Sequence, residues 1–533
     1  MNIKKGLYSL LGTVLLGTTL AACSAATSTS ESSDNQGSQA DSDVVTISFF
    51  DKNSGSKKFD DRIAKEIEKR TGVKIDLQNP TGDYNSKLAL MLSSRDYPDI
   101  VMLDRTSELV DKYIAAEALI PLNDLIDEYG PNAKEMYGDM LSKTKNSDGE
   151  NYYFSNWYGP SDQPVVGWNM RYDYMVELVG KERADSPEPF TQEEMLNVMR
   201  AFKEKYATVD GKEGIPLTIA ESGTDLVGMF GLKTYYEKDN ELQHYSKDPR
   251  FLQMVTFMNQ MYRENLLDKE WVTNNSTLKN QKLSAGNVLG SVSGYWDPQS
   301  VNDANRQAGK EDAVFVAYKV VGEGVDPSET TYSGRSSLGW DAIGITDNCE
   351  NPEAATKLID FLASREGQSL LLWGIEGEDY TVENGEYIPA EETLNKFIEN
   401  RENATNETGI TRWTWFVNNM GPTENTPMRI TDYIDRGTFE SKMAFQNLQD
   451  TYWDSSIYED LTPDVNTPVG LKWQKINDIF EQAMPKMINA ENEADVNTLY
   501  EKMLDDMEKA GLKEAEEAIT KNYQERLELW QES

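Results

Sequence analysis

Between Val44 and Leu103 the chain switches its hydrophobic period four times, and this constrains the fold more than any other feature. Val45-Thr46-Ile47-Ser48-Phe49-Phe50 reads as a strand, and Phe59, Ile63 and Ile67 then recur at four-residue spacing, which predicts an amphipathic helix ending near Gly72. Val73-Lys74-Ile75-Asp76-Leu77 alternates as a second strand, Tyr84, Leu88, Met91 and Leu92 mark a second helix face, and Pro98-Asp99-Ile100-Val101-Met102-Leu103 is a third strand. Strands joined through helices lie parallel in one sheet with the helices on its faces, so the class is α/β. At 533 residues the chain is too long for one domain and suits two or three.

Downstream, helices are predicted over Phe190–Tyr206 (with Thr191 as N-cap), over Phe251–Tyr262 and from Asn351-Pro352-Glu353 to Ala363. Strands are predicted at Ser291–Trp296 and Trp340–Ile345, and two C-terminal helices break at Gly511. The segment 380–490 carries few clean periodicities, and its place in the domain plan stays open.

The first 22 residues do not belong to this body. Lys4-Lys5 followed by an apolar or small run from Gly6 to Ala22 describes an export signal. It ends in Leu20-Ala21-Ala22-Cys23, which resembles a lipobox, so Cys23 is expected to be diacylated and to become the mature N-terminus, a palmitate-type lipoprotein anchor. Residues 24–43 lack aromatics and read as a flexible tether. No later stretch is apolar for the length of a membrane span.

Charge and residue counts exclude several chemistries. A net charge of −39, from 91 acidic and 52 basic residues, opposes binding to nucleic acid or anionic lipid. One histidine, His244, and two cysteines, Cys23 and Cys349, leave no room for a Cys/His zinc cluster or a disulfide framework. His244 sits in a polar stretch and is expected to face solvent; Cys349 is expected to be an unpaired, packed thiol. There is no Gly-x-Ser-x-Gly elbow and no phosphate-binding Gly-rich loop. Only a pair of carboxylates, as in glycoside hydrolysis, survives as a possible catalytic device.

The tryptophans carry more information. Trp157 lies in Asn156-Trp157-Tyr158-Gly159, Trp168 in Gly167-Trp168-Asn169-Met170-Arg171, Trp296 in Tyr295-Trp296-Asp297-Pro298, and Trp413 in Arg412-Trp413-Thr414-Trp415. Each ring adjoins Asn, Asp or Arg. A sugar offers an apolar C–H face and a rim of hydroxyls, which calls for that pairing of ring and planar polar group. Packing in a core is the usual fate of any one tryptophan.

The leader, the tether, the β-α-β-α-β start and Tyr97-Pro98-Asp99-Ile100-Val101 together resemble the family 1 extracellular solute-binding proteins. So do Ile120-Pro121-Leu122-Asn123-Asp124-Leu125, Asn169-Met170-Arg171-Tyr172-Asp173, Asn351-Pro352-Glu353-Ala354-Ala355 and Gly374-Ile375-Glu376-Gly377-Glu378-Asp379-Tyr380, the last being similar to the large lipoprotein branch that serves oligosaccharide ABC importers. The resemblance implies two discontinuous α/β lobes with a hinge and an interlobe ligand cleft. Residues 44–165 would begin the first lobe, 166–334 the second, and 335–533 would return to the first and supply C-terminal helices shared by both. It implies no enzyme and no cofactor. It implies a monomeric, surface-tethered binding protein on the extracellular face of the cell membrane, whose partners are an oligosaccharide and the ABC permease, with no nucleic acid.

In this reading Trp157, Trp168, Trp296, Trp340 and Trp413 stack on sugar rings beside Tyr295, while Asn53, Asn169, Arg171, Asp297 and Arg335 take hydroxyls. The turns Asp51-Lys52-Asn53-Ser54 and Asp83-Tyr84 would face the cleft, at the C-terminal ends of parallel strands. Members of this branch often hold calcium in an acidic loop before an Ile-Pro-Leu strand. Here that place reads Asp210-Gly211-Lys212-Glu213-Gly214-Ile215-Pro216-Leu217, and with two carboxylates no calcium is expected. A two-carboxylate glycosidase or lyase and an oligopeptide-binding lipoprotein remain as alternatives.

Overall fold

A computed structural model describes residues 44–55, 58–146, 148–161, 163–220, 223–423 and 426–531. The export signal, Cys23 and the tether therefore lie outside the described residues. In chain order the strands that frame the site are β1 (Val45–Phe50), β2 (Val73–Gln78), β3 (Ile100–Asp104), β4 (Phe154–Asn156), β5 (Val166–Arg171), β6 (Ile215–Thr218), β7 (Val288–Gly294), β8 (Phe315–Tyr318), β9 (Ser333–Arg335), β10 (Asp341–Ile345) and β11 (Tyr452–Asp454).

The opening alternation folds as its periodicity predicts. Asp61 caps the helix Arg62–Thr71 by accepting from the Ala64 amide, and Gly72, at φ 70°, ends it in the left-handed region that favours glycine. The chain returns as β2, parallel to β1, and β3 adds to the other side of β1. Strand β10 arrives antiparallel beside β3 and then β4, giving the order β2-β1-β3-β10-β4. A second sheet, β8-β5-β7-β6, is built from the middle of the chain. Each sheet has its own core, one around Ile47, Phe49, Ile75, Met102 and Leu358, the other around Trp168, Met170, Met199, Phe202 and Met254.

The chain passes between these cores more than twice. It leaves the first sheet after β4, enters the second at β5, and comes back through β9 into β10. Residues Tyr380 to Ile430 pack on the first core. The helix Ile430–Asp435 then gives way, across Arg436–Thr438, to Phe439–Leu448, whose Met443 joins the second core. Strand β11 pairs in parallel with β9. The helices Pro468–Ile488, Glu493–Ala510 and Leu512–Gln531 supply Ile476, Met484, Met503, Met507 and Ala515 to the second core, and Trp530 at their end packs on the first.

Some expectations shift. The helix expected from Phe190 runs Gln192–Lys205 behind a reciprocal Thr191–Glu194 capping box, and Phe190–Thr191 pairs instead as a short strand. His244 does not face solvent. It is 5% exposed, its ring lies against Trp473 and Phe480, and its Nδ1 is 2.7 Å from Ser246 Oγ. Burial, helped by nearby Lys247, pulls its pKa from 6.5 down to about 3. The folded state thus refuses a proton that the unfolded state takes, so this residue adds no pH dependence above 6.5 and removes stability as pH falls from there toward 3. The lone imidazole resonance should accordingly show no titration shift between pH 8 and about 4.5 by NMR; a midpoint near 6 would contradict the burial. Cys349 is half-buried and free, and burial pushes its thiol up to about 11.

Candidate functional site

The carboxyl ends of β1 and β3 meet the start of β10, and their turn residues build the first part of the site. Lys52 Nζ lies 2.5 Å from Asp104 and 2.8 Å from Asp341, its side chain only 6% exposed. Asp341 also accepts from Asn53 Nδ2 at 3.1 Å and Asn156 Nδ2 at 2.9 Å. Tyr84 donates to Asp104 at 2.9 Å and presents its ring 5.2 Å from the Lys52 ammonium. Beneath them Asp51 accepts from Trp415 Nε1, and burial raises its carboxyl above the usual range. Lys52, Asn53, Asp104 and Asp341 open into a cavity of about 510 Å³ that Trp157 and Trp340 also line.

Trp157 is a wall of a second cavity, of about 340 Å³, which receives residues from both lobes. Its backbone is held at φ 61°, in a region a bulky residue seldom occupies. The Arg429 guanidinium lies 5.5 Å from its ring centre and donates from Nε to Asp432 at 2.8 Å. From the second sheet come Tyr295 and Trp296, just beyond the end of β7, with ring centroids 5.2 Å apart in an edge-to-face pair. A Cβ at Gly294 would sit 2.8 Å from the Trp296 indole, so glycine is what lets that ring lie against the strand end. Arg401 forks onto Asp435, which also accepts from Gln299 Nε2 of the second lobe at 2.8 Å. Arg335, brought in by β9, donates to Ser161 Oγ at 3.0 Å, and burial pulls its pKa below the usual arginine value.

Of the residues singled out from sequence, Asn53, Trp157, Tyr295, Trp296, Arg335 and Trp340 therefore line these two cavities. Five others are placed elsewhere. Trp168 is fully buried in the second core, on a strand paired on both edges. Trp413 is fully buried in the first core and gives its Nε1–H to Asp61 at 2.7 Å. Neither offers a face to a ligand. Asn169 is spent on Ser293 and the Gly294 carbonyl, and so fixes the strand end beneath Trp296. Arg171 spends its fork on Asp173 at 2.9 and 2.6 Å, and Asp297 takes Lys279 at 3.4 Å. Arg401, Arg429, Asp432 and Asp435 went unnoticed, because residues 401–435 offer no periodicity or motif to mark them.

The acidic loop considered for calcium is a tight hairpin, Thr208–Val209 paired with Lys212–Glu213 through Asp210 at φ 48° and Gly211 at φ 80°. Among the described residues no group of three or more His, Cys, Asp or Glu is placed to hold a metal ion. What the two cavities offer is aromatic faces for stacking beside guanidinium, amide and carboxylate groups for hydrogen bonding.

Two α/β lobes with such a cleft between them define a solute-binding protein. Residues 62–373 match the model of the bacterial extracellular solute-binding proteins, and the chain belongs to that family. It is similar to the fructooligosaccharide ABC transporter substrate-binding protein FusA of Streptococcus pneumoniae serotype 4, with 25% identity over 347 residues. That match spans 60% of this chain and 60% of the relative's length. Among solved structures, a solute-binding protein of Bifidobacterium longum infantis described as HMO-binding and ABC-transporter-associated superposes with a TM-score of 0.67 at 17% identity, covering 90% of this chain and 98% of that one. The S. pneumoniae FusA EF-hand mutant in complex with fructo-nystose gives a TM-score of 0.65 at 18% identity, covering 90% and 99%. At these identities the likeness shows the fold, which is the two-lobed α/β architecture expected from the sequence.

Proposed function

We propose that this protein is the solute-binding component of an oligosaccharide ABC importer. The observation that carries the reading is the interlobe cleft itself. Trp157, Trp296 and Trp340 stand beside Asn53, Arg335, Arg429 and Asp432 in two cavities that share a wall. The FusA relative and the sugar-binding structural neighbours support it. Ligand would be held by stacking and hydrogen bonds and enclosed as the lobes close, and the closed form would be read by the permease. No bond is made or broken. Asp104 and Asp341 are engaged with Lys52, and Asp432 and Asp435 with Arg429 and Arg401, so these carboxylates serve as hydrogen-bonding wall groups. Cys23, diacylated after removal of the signal, would anchor a monomer to the extracellular face of the cell membrane through the tether. Nucleic acid is no partner.

Tryptophan fluorescence of residues 24–533, titrated with neutral and acidic oligosaccharides, tests the reading. A saturable change with one glycan or a few, each recovered intact, is the expected result. Silence across the panel with a response to peptides would transfer the protein to oligopeptide capture, and consumption of the glycan would make it a two-carboxylate enzyme.

A further inference from the structure

A large ring left open to water inside a groove asks for something to cover it. Among the described residues three aromatic side chains are strongly exposed, namely Trp340 at 56%, Trp296 at 43% and Phe439 at 42%. Each lines a different cavity. Trp340 lies in the one of about 510 Å³ and Trp296 in the one of about 340 Å³, both described above. Phe439 lies in a third, of about 450 Å³, to which no role has been given. Neighbouring cavities share walls, Trp157 between the first and second and Glu440 between the second and third.

The third cavity is made like the other two. Phe439 stands at the first position of its helix, and its edge-to-face contact with Tyr172, at 4.7 Å between centroids, fixes the ring. Polar groups surround it. Arg306 reaches Glu440 Oε1 at 2.7 Å, and Lys181, Glu311 and Asp312 stand at the rim with both donors and acceptors. One ring among charged and hydroxyl-bonding groups suits a sugar face; an acyl chain would need a continuous apolar lining.

We propose that Phe439 and the cavity around it form a further saccharide subsite, so that the cleft reads a chain of at least three sugar rings along Trp340, Trp296 and Phe439. The inference rests on the oligosaccharide reading and adds to it a required length and a terminal platform.

The test is calorimetric titration of the mature protein and of Phe439→Ala with homologous series, disaccharide to hexasaccharide, of fructan, β-glucan, mannan, xylan and alginate oligosaccharides. Within any series that binds, affinity should rise at least tenfold between two and four rings. Phe439→Ala should remove about tenfold of that gain for the longer members, as expected for a lost aromatic platform, and leave the disaccharide constant unchanged. Phe439→Tyr, which keeps a ring, should restore the gain. An affinity already complete with the disaccharide, or a Phe439→Ala variant equal to wild type or weakened alike at every length, would overturn the inference while leaving saccharide capture intact. Binding of no series at all would sink both.

Discussion

Trp157→Ala is expected to weaken saccharide binding by about a hundredfold, the loss typical of a central aromatic anchor worth about 2–3 kcal/mol. The residue is a wall of both interlobe cavities, and the Arg429 guanidinium lies over its ring, so truncation removes a platform and frees the arginine from its seat. Stability should respond differently. At φ 61° alanine carries much the same backbone strain as tryptophan, so nothing is relieved, and the half-buried ring surrenders only about 1–2 kcal/mol of packing. Trp157→Gly is the telling partner. It removes the same ring but fits the left-handed backbone, and should melt above the alanine variant while binding no better. Calorimetry and thermal melts of the pair decide the matter. An alanine variant within threefold of wild-type affinity would remove Trp157 from the site.

The second large effect is expected for Lys52→Met, at about 3–5 kcal/mol of lobe stability near neutral pH. Burial works against the lysine charge, yet Asp104 and Asp341 outweigh it and hold its pKa above the ordinary 10.5. Its contribution is therefore complete below 10.5 and is lost only as pH rises through the folded value. Methionine leaves Asp341, 3% exposed, facing Asp104 without a cation between them. Their repulsion is then offset only by the Asn53 and Asn156 amides on Asp341, and a proton that relieves it is held more tightly in the folded than in the unfolded state. An acid whose folded pKa is raised destabilises above its unfolded pKa, and the penalty fades as pH falls toward about 4. Denaturant unfolding at pH 5 and pH 7.5 should show the gap to wild type narrowing at the lower value. A gap of equal size at both would mean that the lysine stem, rather than its charge, holds the turn together. Saccharide binding should weaken as well, because Asn53 leans on the same Asp341.

Legibility in the sequence followed locality. The β-α-β-α-β start was readable because each period is completed within about ten residues, and caps such as Asp61 and Gly72 mark the ends. The second lobe's sheet was less so, since β5 and β7 are buried on both faces and lose the alternation that marks a strand. The helix Pro468–Ile488 lies in the stretch read as short of periodicity, although its buried Ile476, Phe480, Met484 and Met487 keep helical spacing across Pro485. The tryptophans show the same limit at the level of the site. Trp157, Trp168 and Trp413 have similar sequence neighbours, but a strand paired on both edges buries Trp168, the ring of Phe59 covers Trp413, and a left-handed backbone turns at Trp157. Whether a ring ends in a core or a cleft depends on partners hundreds of residues away, and no local pattern encodes them.

The passage Arg436–Thr438, where the chain changes lobes a third time, bears on how the molecule can move. A body joined to another by two adjacent strands can both swing and twist about them. A third strap set apart from the first two removes the twist and leaves a single arc of travel. Here the strap is flanked by Asp435 and Glu440, both of which line the cleft. A molecule seated between them touches both ends of that strap, so the cargo would act as the brake on the arc and a loaded cleft would reopen only by letting it go.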